Sequence, residues 1–250
     1  MLVAHRRELL LDRLARDGRV VAKDVAEEFG LSEDTVRRDL RDLAAAGLCQ
    51  RVYGGALPVS PAVVDYRARV DVEPQSKQLV AHRAVRLVAE GSTVILDGGT
   101  TTLAVARALP KSLDCTVITL SPAIAVALLE HRAEVILIGG RLSKHSAVTS
   151  GAAAAEALAG LSADLFLLGV TGVHPTAGLT TGDAEDAAMK RLQVGRAAET
   201  YVLASREKVG TASRFKVVDF EAVTAVIADP DAAASVADLR AAGVTVILAD

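Results

Sequence analysis

The chain has 250 residues, 51% hydrophobic and 24% charged, a balance typical of a folded globular protein with one large or two unequal domains. Its 28 Lys and Arg against 31 Asp and Glu give a net charge of −3, which excludes a protein that is basic overall but not one with a local basic face. Aromatic residues make up only 3%, with no Trp, which argues against a base-stacking surface.

The composition also indicates the cellular compartment and the cofactors to expect. Cys49 and Cys115 have no metal-ligand spacing and exclude a disulfide-stapled fold, so we expect two reduced thiols and no metal or cofactor. The charged N-terminal residues do not resemble a signal peptide, and no apolar run approaches the roughly 18–20 residues that span a bilayer. We therefore expect a cytoplasmic protein without a membrane partner.

Residues 1–56 predict a small domain of three helices and a hairpin. Apolar residues at helical spacing predict helices over about 5–16, 21–28 and 33–46. Gly30 is expected to form the turn between the second and third helices, and Ser32 to cap the third. The alternating segment that ends at Gly54 and Gly55 predicts a β-hairpin, or wing.

Two helices joined by a short glycine turn form a helix-turn-helix, whose second helix enters the major groove of DNA. The third helix presents polar side chains outward at Thr35, Arg37, Arg38 and Arg41. Arginine binds guanine edges or phosphates, and threonine contacts base edges. Arg51 in the wing is expected at a flanking phosphate or the minor groove. The alternative is that the three arginines are solvated charges paired with Asp39 and Asp42.

The rest of the chain predicts a layered α/β domain. Three prolines predict a linker over 57–75, and the second domain then occupies 76–250. Short apolar runs predict buried parallel strands over 93–97, 115–119, 134–138, 164–169, 200–204, 222–228 and 244–249. Helical segments are predicted between most of them, at about 76–90, 101–109, 122–131, 151–160, 184–198 and 231–242. The predicted fold is a winged helix-turn-helix followed by a mostly parallel α/β domain.

Three polar loops follow predicted strands, where open α/β sheets bind ligands. They are Asp97 to Thr102, Thr119 to Ser121, and Gly139-Gly140-Arg141. Glycines let the backbone approach an anion, and threonine hydroxyls with the N–H groups of a following helix surround a phosphate. The alternative for any one loop is a tight strand–helix turn. Three such loops in succession favour a site.

Several of these motifs resemble those of a known protein family. Phe29 to Ser32, Thr35 to Leu40, and the Arg51, Gly54-Gly55-Ala56 pattern resemble the N-terminal domain of DeoR-family transcriptional regulators. The resemblance implies that DNA contacts come from Ser32, Thr35, Arg37, Arg38, Arg41 and Arg51. Tyr53 stands where the family often has His and keeps a hydroxyl for a phosphate. Asp39 is implied to position an arginine rather than to touch DNA.

The resemblance continues through nearly the whole chain. The family's C-terminal domain is similar to sugar-phosphate isomerases and senses phosphorylated sugars or related metabolites. It implies that the phosphate end of an effector is bound by Gly99, Thr100, Thr101, Thr119 and Ser121, with Gly139 and Gly140 in the third loop. Candidates for hydroxyls or phosphate charge are Asp97, Asp183, Glu185, Lys190 and Lys208. The alternative for Lys190 and Lys208 is that both are surface lysines.

Two departures from the family pattern bear on the effector. Leu120 replaces the usual Asn of the second loop, which removes a ligand hydrogen bond. Ser205 replaces an Asp, and it is followed by Arg206 and Glu207 before Lys208. From these changes we expect an effector that is smaller, less polar or different in kind.

The predicted function is a ligand-responsive transcriptional regulator, a repressor of carbohydrate or polyol catabolism genes. Its expected partners are operator double-stranded DNA, a phosphorylated sugar or polyol, and further copies of itself. One alternative is a sugar-phosphate isomerase or transferase-like enzyme with an accessory domain, which would need a carboxylate base and a cation. Another is a metabolite-binding protein whose helix-turn-helix serves only dimerisation.

Overall fold

The computed structural model describes residues 2–250. Its N-terminal domain consists of α1 (Val3–Asp17), β1 (Val20–Val21), α2 (Ala22–Phe29), α3 (Glu33–Ala45), β2 (Gln50–Val52) and β3 (Gly55–Leu57). The three predicted helices and the predicted hairpin are confirmed. The structure adds β1, which pairs antiparallel with β3 and takes Val21 out of the predicted second helix.

Local sequence explains these boundaries. Gly30 adopts a left-handed φ of 61° at the end of α2, a conformation that costs glycine little. The Oγ of Ser32 accepts the backbone N–H of Thr35, so Ser32 is the predicted N-cap of α3. The three helices and the hairpin enclose one apolar core, made of Leu10, Leu14, Val20, Val25, Val36, Leu40, Leu43 and Cys49.

The segment predicted as a linker is ordered. It contains a 3-10 turn (Pro61–Val63) and α4 (Tyr66–Arg69), and α5 (Pro74–Val85) begins inside its predicted range. The backbone of Val59 forms a bridge with Ala212, so the segment packs against the larger domain. We call residues 58–73 the connecting segment.

The larger domain is built on a single seven-stranded sheet. In chain order its elements are β4 (Thr93–Leu96), α6 (Thr100–Ala108), β5 (Thr116–Thr119), α7 (Pro122–Ala127), β6 (Glu134–Leu137), β7 (Arg141–Ser143), β8 (Val148–Ser150), α8 (Ala152–Ala159), β9 (Ala163–Gly169), β10 (Gly172–His174), β11 (Gly178–Thr181), α9 (Ala184–Val194), β12 (Ala197–Ala204), a 3-10 turn (Arg206–Lys208), β13 (Phe215–Lys216), 3-10 turns (Phe220–Ala222 and Pro230–Ala232), β14 (Ala225–Ala228), α10 (Ala233–Ala241) and β15 (Val246–Leu248). The strand order is β15-β14-β12-β9-β4-β5-β6, and every neighbouring pair is parallel. All seven predicted strands are confirmed.

Alternation along the strands divides the core into two layers. Val94 and Leu96 of β4 pack under α5, α6 and α7, whereas Ile95 faces α8, α9 and α10. Both faces of the central strands are buried, which explains why their sequences are continuous apolar runs. Because the strands are parallel, the carboxyl ends of β4, β5, β9 and β12 meet at one edge.

The antiparallel strands of the larger domain are the part of the fold that the sequence does not predict. β7 pairs with β8, and β10, β11 and β13 form a separate small sheet. Several predicted helices are shorter in the structure; the helix predicted over 184–198, for example, ends at Val194, and β12 begins at Ala197.

Three further observations concern residues 2–250. No helix in this range is long and apolar enough to cross a membrane. No group of three or more His, Cys, Asp or Glu side chains in it is arranged to hold a metal ion. Cys49 and Cys115 are both free and buried.

Candidate functional site

The outer face of α3 carries two arginines without a carboxylate partner among the described residues. Arg38 and Arg41 are exposed, and neither forms an ion pair within 4.0 Å. Arg37 differs, because its guanidinium donates to Glu33 one turn earlier at 2.7 Å. The opposite face is buried through Val36, Asp39, Leu40 and Leu43. The outer face therefore offers two free guanidinium groups to a phosphate or a base edge.

Asp39 ties this helix to the rest of the small domain. Its carboxylate is 2% exposed; it accepts Nε of Arg6 and lies 3.4 Å from Nε of Arg7. Arg7 also pairs with Asp42. The alternative that Asp39 and Asp42 neutralise the arginines of α3 is therefore wrong, since both carboxylates bind arginines of α1.

The other predicted DNA-contacting residues lie at the N-cap of α3 and in the wing. The hydroxyls of Ser32 and Thr35 lie 2.8 Å apart, so each already has a partner in the absence of DNA. Arg51 on β2 is exposed, and Tyr53 at the hairpin turn is fully exposed. An aromatic side chain held wholly in solvent at a loop tip is available for contact with another molecule.

A buried ion pair lies at the carboxyl edge of the large sheet. Asp97, directly after β4, accepts Nζ of Lys190 at 2.5 Å and the backbone N–H groups of Gly98 at 2.8 Å and Gly169 at 2.9 Å. Nζ of Lys190 also lies 3.4 Å from Asp186. Burial opposes the charge of Lys190, but the two carboxylates outweigh it and raise the lysine's pKa, so the ammonium is charged.

Beside this pair lies a small cavity that contains a cation with no carboxylate in direct contact. Lys208 is 5% exposed; its Nζ donates to Oγ1 of Thr101 at 2.7 Å and lies 3.4 Å from the carbonyl of Leu203. No carboxylate of residues 2–250 comes within 4.0 Å of it. Burial lowers the pKa of Lys208 to about 8. A buried ammonium without a counter-ion is costly unless an anion joins it.

The start of α6 adds donors to the same cavity. Gly99 precedes the helix at a φ of 141°, a conformation open to glycine, and the N–H of Leu103 is the first to bond back, to the Gly99 carbonyl. The N–H groups of Thr100, Thr101 and Thr102 therefore have no acceptor within the helix, and they lie at its positive end. Orphan N–H groups with a nearby ammonium are an arrangement suited to phosphate.

The connecting segment closes the cavity from outside. Arg69 of α4 lines it, has no carboxylate within 4.0 Å in the described chain, and donates only to the Ala62 carbonyl, at 3.4 Å. Nζ of Lys77 in turn donates to the Arg69 carbonyl at 2.5 Å, which anchors α4 on α5. Burial lowers the pKa of Arg69, and the more distant carboxylates of Asp186, Asp65 and Asp97 oppose that shift only in part. We call this space the effector cavity, after the role that the sequence predicts for several of its residues. Its walls include Arg69, the Gly98–Thr102 loop, Thr181, Asp186, Lys190, Glu207 and Lys208.

Comparison with known proteins identifies the family to which this chain belongs. Residues 6–62 match the model of the DeoR-like helix-turn-helix domain, and residues 72–230 match that of the DeoR C terminal sensor domain. This chain is a member of the DeoR family of transcriptional regulators. The resemblance seen in the sequence is thereby confirmed, as is the fold of a helix-turn-helix domain followed by an α/β sensor domain.

Named relatives match this chain over most or all of its length. The HTH-type transcriptional regulator GlpR of Haloferax volcanii is 35% identical over 99% of this chain and 98% of that protein. The HTH-type transcriptional repressor GlcR of Bacillus subtilis is 31% identical over 88% of this chain and 86% of its own. The glycerol-3-phosphate regulon repressor of Escherichia coli is 27% identical over 88% of each. These are regulators, so this DeoR-family chain is a DNA-binding transcription regulator and not an enzyme.

One solved structure matches about half of this chain. Ribose 5-phosphate isomerase A from Methanocaldococcus jannaschii covers 53% of this chain and 52% of its own, at a TM-score of 0.39 and 19% identity.

The structure brings together many of the predicted effector residues. Gly99, Thr100, Thr101, Lys190 and Lys208 line the effector cavity, and Asp97 lies directly behind it in the ion pair with Lys190. The alternative that Lys190 and Lys208 are surface lysines is wrong, because they are 4% and 5% exposed. In this DeoR-family chain both ammonium groups belong to the interior.

Other predicted residues lie elsewhere. The Oγ1 of Thr119 donates to the Leu96 carbonyl at 2.7 Å and accepts the N–H of Ser121 at 3.1 Å, and both side chains are fully buried outside the cavity. The Thr119 hydroxyl thus stabilises the turn after β5, whereas the buried Ser121 hydroxyl has no hydrogen-bond partner among the described residues. Gly139 and Gly140 are exposed and do not line the cavity.

A second, wider pocket of about 290 Å³ adjoins the effector cavity, which measures about 40 Å³. Asp183 and Glu185 line this wider pocket; Asp183 caps α9, and Glu185 pairs with Arg141. Val148 lines both spaces, and it packs so closely that a Cβ at Gly98 would lie 1.8 Å from its Cγ1. Glycine at position 98 is therefore required for β8 to close over the loop.

Sequence reasoning missed Arg69 and Glu207 as cavity residues. Arg69 fell in the predicted linker, and Glu207 was noted only as a departure from the family pattern. A signal for Arg69 was present in the charged YRARVD stretch, but its place in the cavity wall with the Gly98–Thr102 loop depends on how the segment folds back.

Proposed function

We propose that this regulator is a repressor whose operator affinity is changed by a phosphorylated sugar or polyol bound in the effector cavity. The observation that carries the proposal is a pair of cations, the buried Lys208 and the half-buried Arg69, which face one cavity without a carboxylate within 4.0 Å of either among residues 2–250. A phosphate would compensate both charges and accept the free N–H groups at the start of α6.

The DNA side of the proposal rests on α3 and the wing. Arg38 and Arg41 are free and exposed, which supports base or phosphate contacts in the major groove. Thr35, Arg37 and Ser32 are proposed to contribute from the same end of α3, with Arg51 and Tyr53 on flanking phosphates. Arg37 must release Glu33 to do so, and we therefore expect it to contribute less than Arg38.

The walls of the effector cavity suggest how binding is coupled to DNA. Two of the wall residues, Ala62 and Arg69, belong to the connecting segment that leads to the wing. A phosphate that binds Arg69 would therefore act directly on this segment. An effector would then select an arrangement in which this segment is displaced, and operator affinity would change with it.

The polar residues of the wider pocket would hold the remainder of the effector. Asp183 and Glu185 are proposed to accept hydroxyls, while Thr119, Ser121, Gly139 and Gly140 would act through the shape of their turns. The name of the E. coli relative, a glycerol-3-phosphate regulon repressor, supports carbohydrate or polyol catabolism genes as the targets.

The proposal includes a homo-oligomer that works in the cytoplasm, where the operator is. Operators commonly match the symmetry of the protein that binds them, and one winged domain buries little DNA surface. Light scattering of the purified chain measures the assembly directly, and a monomer at the concentration that protects DNA would contradict this part.

The experiment that tests the function has two stages. Selection from random duplexes identifies an operator, and footprinting of the selected sequence is then repeated with a panel of phosphorylated sugars and polyols. We expect protection of a repeated or palindromic element, altered by at least one phosphorylated compound and not by its unphosphorylated form. No selected sequence, or equal protection with every compound, would contradict the proposal.

A further inference from the structure

Glu207 carries a buried oxygen that no group in the described residues satisfies. The side chain is 9% exposed and lines the effector cavity. Its Oε1 accepts the hydroxyl of Ser205 at 2.8 Å, whereas Oε2 has no hydrogen-bond partner. Buried carboxylate oxygens are almost always hydrogen-bonded, so an unpartnered one at a cavity wall indicates a missing donor.

The cations around Glu207 do not supply that donor. Lys77 and Lys208 are both close enough for Glu207 to favour their charged forms, yet neither approaches within 4.0 Å. Lys208 instead donates to Thr101, and Lys77 donates to the Arg69 carbonyl. A gap is thus kept between the carboxylate and an ammonium that line the same cavity.

The position of Glu207 is fixed by its own turn. It lies in the 3-10 turn Arg206–Lys208, and the N–H of Arg206 donates to Oγ of Ser76 on α5 at 2.9 Å. The hydroxyl of Ser205 holds one carboxylate oxygen, which leaves the other in a set place. A preorganised acceptor of this kind gives selectivity at little entropic cost.

We propose that Glu207 is a specificity-determining residue that accepts a hydroxyl of the effector next to its phosphate. This inference rests on the proposed function, since it assumes that the phosphate is bound by Lys208, Arg69 and the start of α6. A carboxylate accepts hydrogen bonds and donates none, so it favours a phosphorylated polyol over an anion that lacks a hydroxyl. A ligand without that hydroxyl leaves the buried oxygen unpaired, which is how such sites reject analogues.

The test is calorimetric titration of the full-length protein with inorganic phosphate, propyl phosphate, glycerol 3-phosphate, ribose 5-phosphate and a hexose 6-phosphate. In Glu207→Ala we expect the tightest polyol phosphate to bind roughly 10–100-fold more weakly, as for a hydrogen bond to a charged group. Inorganic phosphate and propyl phosphate should bind no more weakly than to the wild type, because a negative charge is removed beside them. Glu207→Gln preserves the shape of the side chain and should lose less than Glu207→Ala.

Lys208→Met is the matched control, since it removes the cation of the same cavity and should weaken phosphorylated ligands with and without hydroxyls alike. Equal weakening of inorganic phosphate and the polyol phosphate in both Glu207 variants would overturn the role of Glu207 but leave the phosphate site intact. An unchanged polyol phosphate affinity would do the same. If no phosphorylated compound bound the wild type, the proposed function would fail and this inference with it.

Discussion

Arg6 of α1 and Asp39 of α3 form an ion pair that is buried between the two helices, with side chains 9% and 3% exposed. The pair faces away from the outer surface of α3, where Arg38 and Arg41 are free. An aspartate inside the TVRRDL motif therefore sets the angle of the helix on the domain, and the arginines beside it are left for DNA.

Replacing Asp39 by Asn is expected to loosen this helix. It leaves the Arg6 guanidinium buried without its counter-charge, and a lost hydrogen bond to a charged group costs about 1.5–3 kcal/mol. Hydrogen–deuterium exchange should show faster exchange of α3 amides than in the wild type. Asp42→Asn is the control, because Asp42 is exposed and should change exchange little. Equal exchange in the two variants would contradict the role given to Asp39.

Arg38→Ala is expected to weaken binding to the selected operator by about 1–3 kcal/mol if Arg38 contacts a base, and to relax sequence preference at one position. Arg16→Ala is a matched control, since Arg16 is an exposed arginine of α1 that pairs with Asp17. Fluorescence anisotropy at fixed salt gives both affinities. A similar loss in the two variants would mean that α3 contributes only general charge.

Lys208→Met is expected to alter the pH dependence of stability. The folded-state pKa of about 8 lies below the 10.5 of an ordinary lysine, so the unfolded chain binds more protons between these values. The stability contributed by this group therefore rises as pH increases from about 8 to 10.5, and the variant lacks that rise. Denaturant unfolding at pH 7 and pH 10 checks this, with the variant the more stable of the two at pH 7 without ligand. Parallel pH profiles for the two proteins would be inconsistent with an uncompensated ammonium.

Leu120→Asn restores the residue typical of the family and is expected to destabilise this chain. Leu120 is 2% exposed and packs in the core layer with Ile118, Ile138 and Val148. Burying an amide there costs about 1–3 kcal/mol without a partner. Thermal unfolding should show a lower Tm for Leu120→Asn and little change for Leu120→Met, which preserves volume. Leu120 also lines the wider pocket, and an unchanged Tm in the Asn variant would contradict this expectation by showing that the amide finds a partner there.

The sequence predicts the main framework because its signals are local. The continuous apolar runs of the seven sheet strands and the cap at Ser32 each depend on a few neighbouring residues. The short strands β7, β8, β10, β11 and β13 have only two to four residues, and their pairing is decided by contacts across the chain. Such strands leave no periodic pattern to detect.

The residues of the effector cavity could be predicted only where a sequence motif specifies both the residue and its position in the fold. The loop from Asp97 to Thr101 lies close to Lys190 and Lys208, as expected, because parallel strands end at one edge of the sheet. Thr119 and Ser121 also follow such a strand, but the Thr119 hydroxyl bonds to the Leu96 carbonyl and the Ser121 N–H, and the Ser121 hydroxyl is buried outside the cavity without a partner among the described residues. Side-chain direction at a strand end is set by packing, which the spacing of residues does not encode.

The most direct test of the central claim is the operator affinity of the wild type and of Lys208→Met, measured by anisotropy with and without the tightest-binding phosphorylated polyol. We expect this compound to change the wild-type Kd by a factor within the usual range for coupled sites, about 5–150-fold. Lys208→Met should bind the operator equally well without the compound and show no response to it. A wild type whose Kd is the same with every phosphorylated compound, or a variant that responds as the wild type does, would contradict the account.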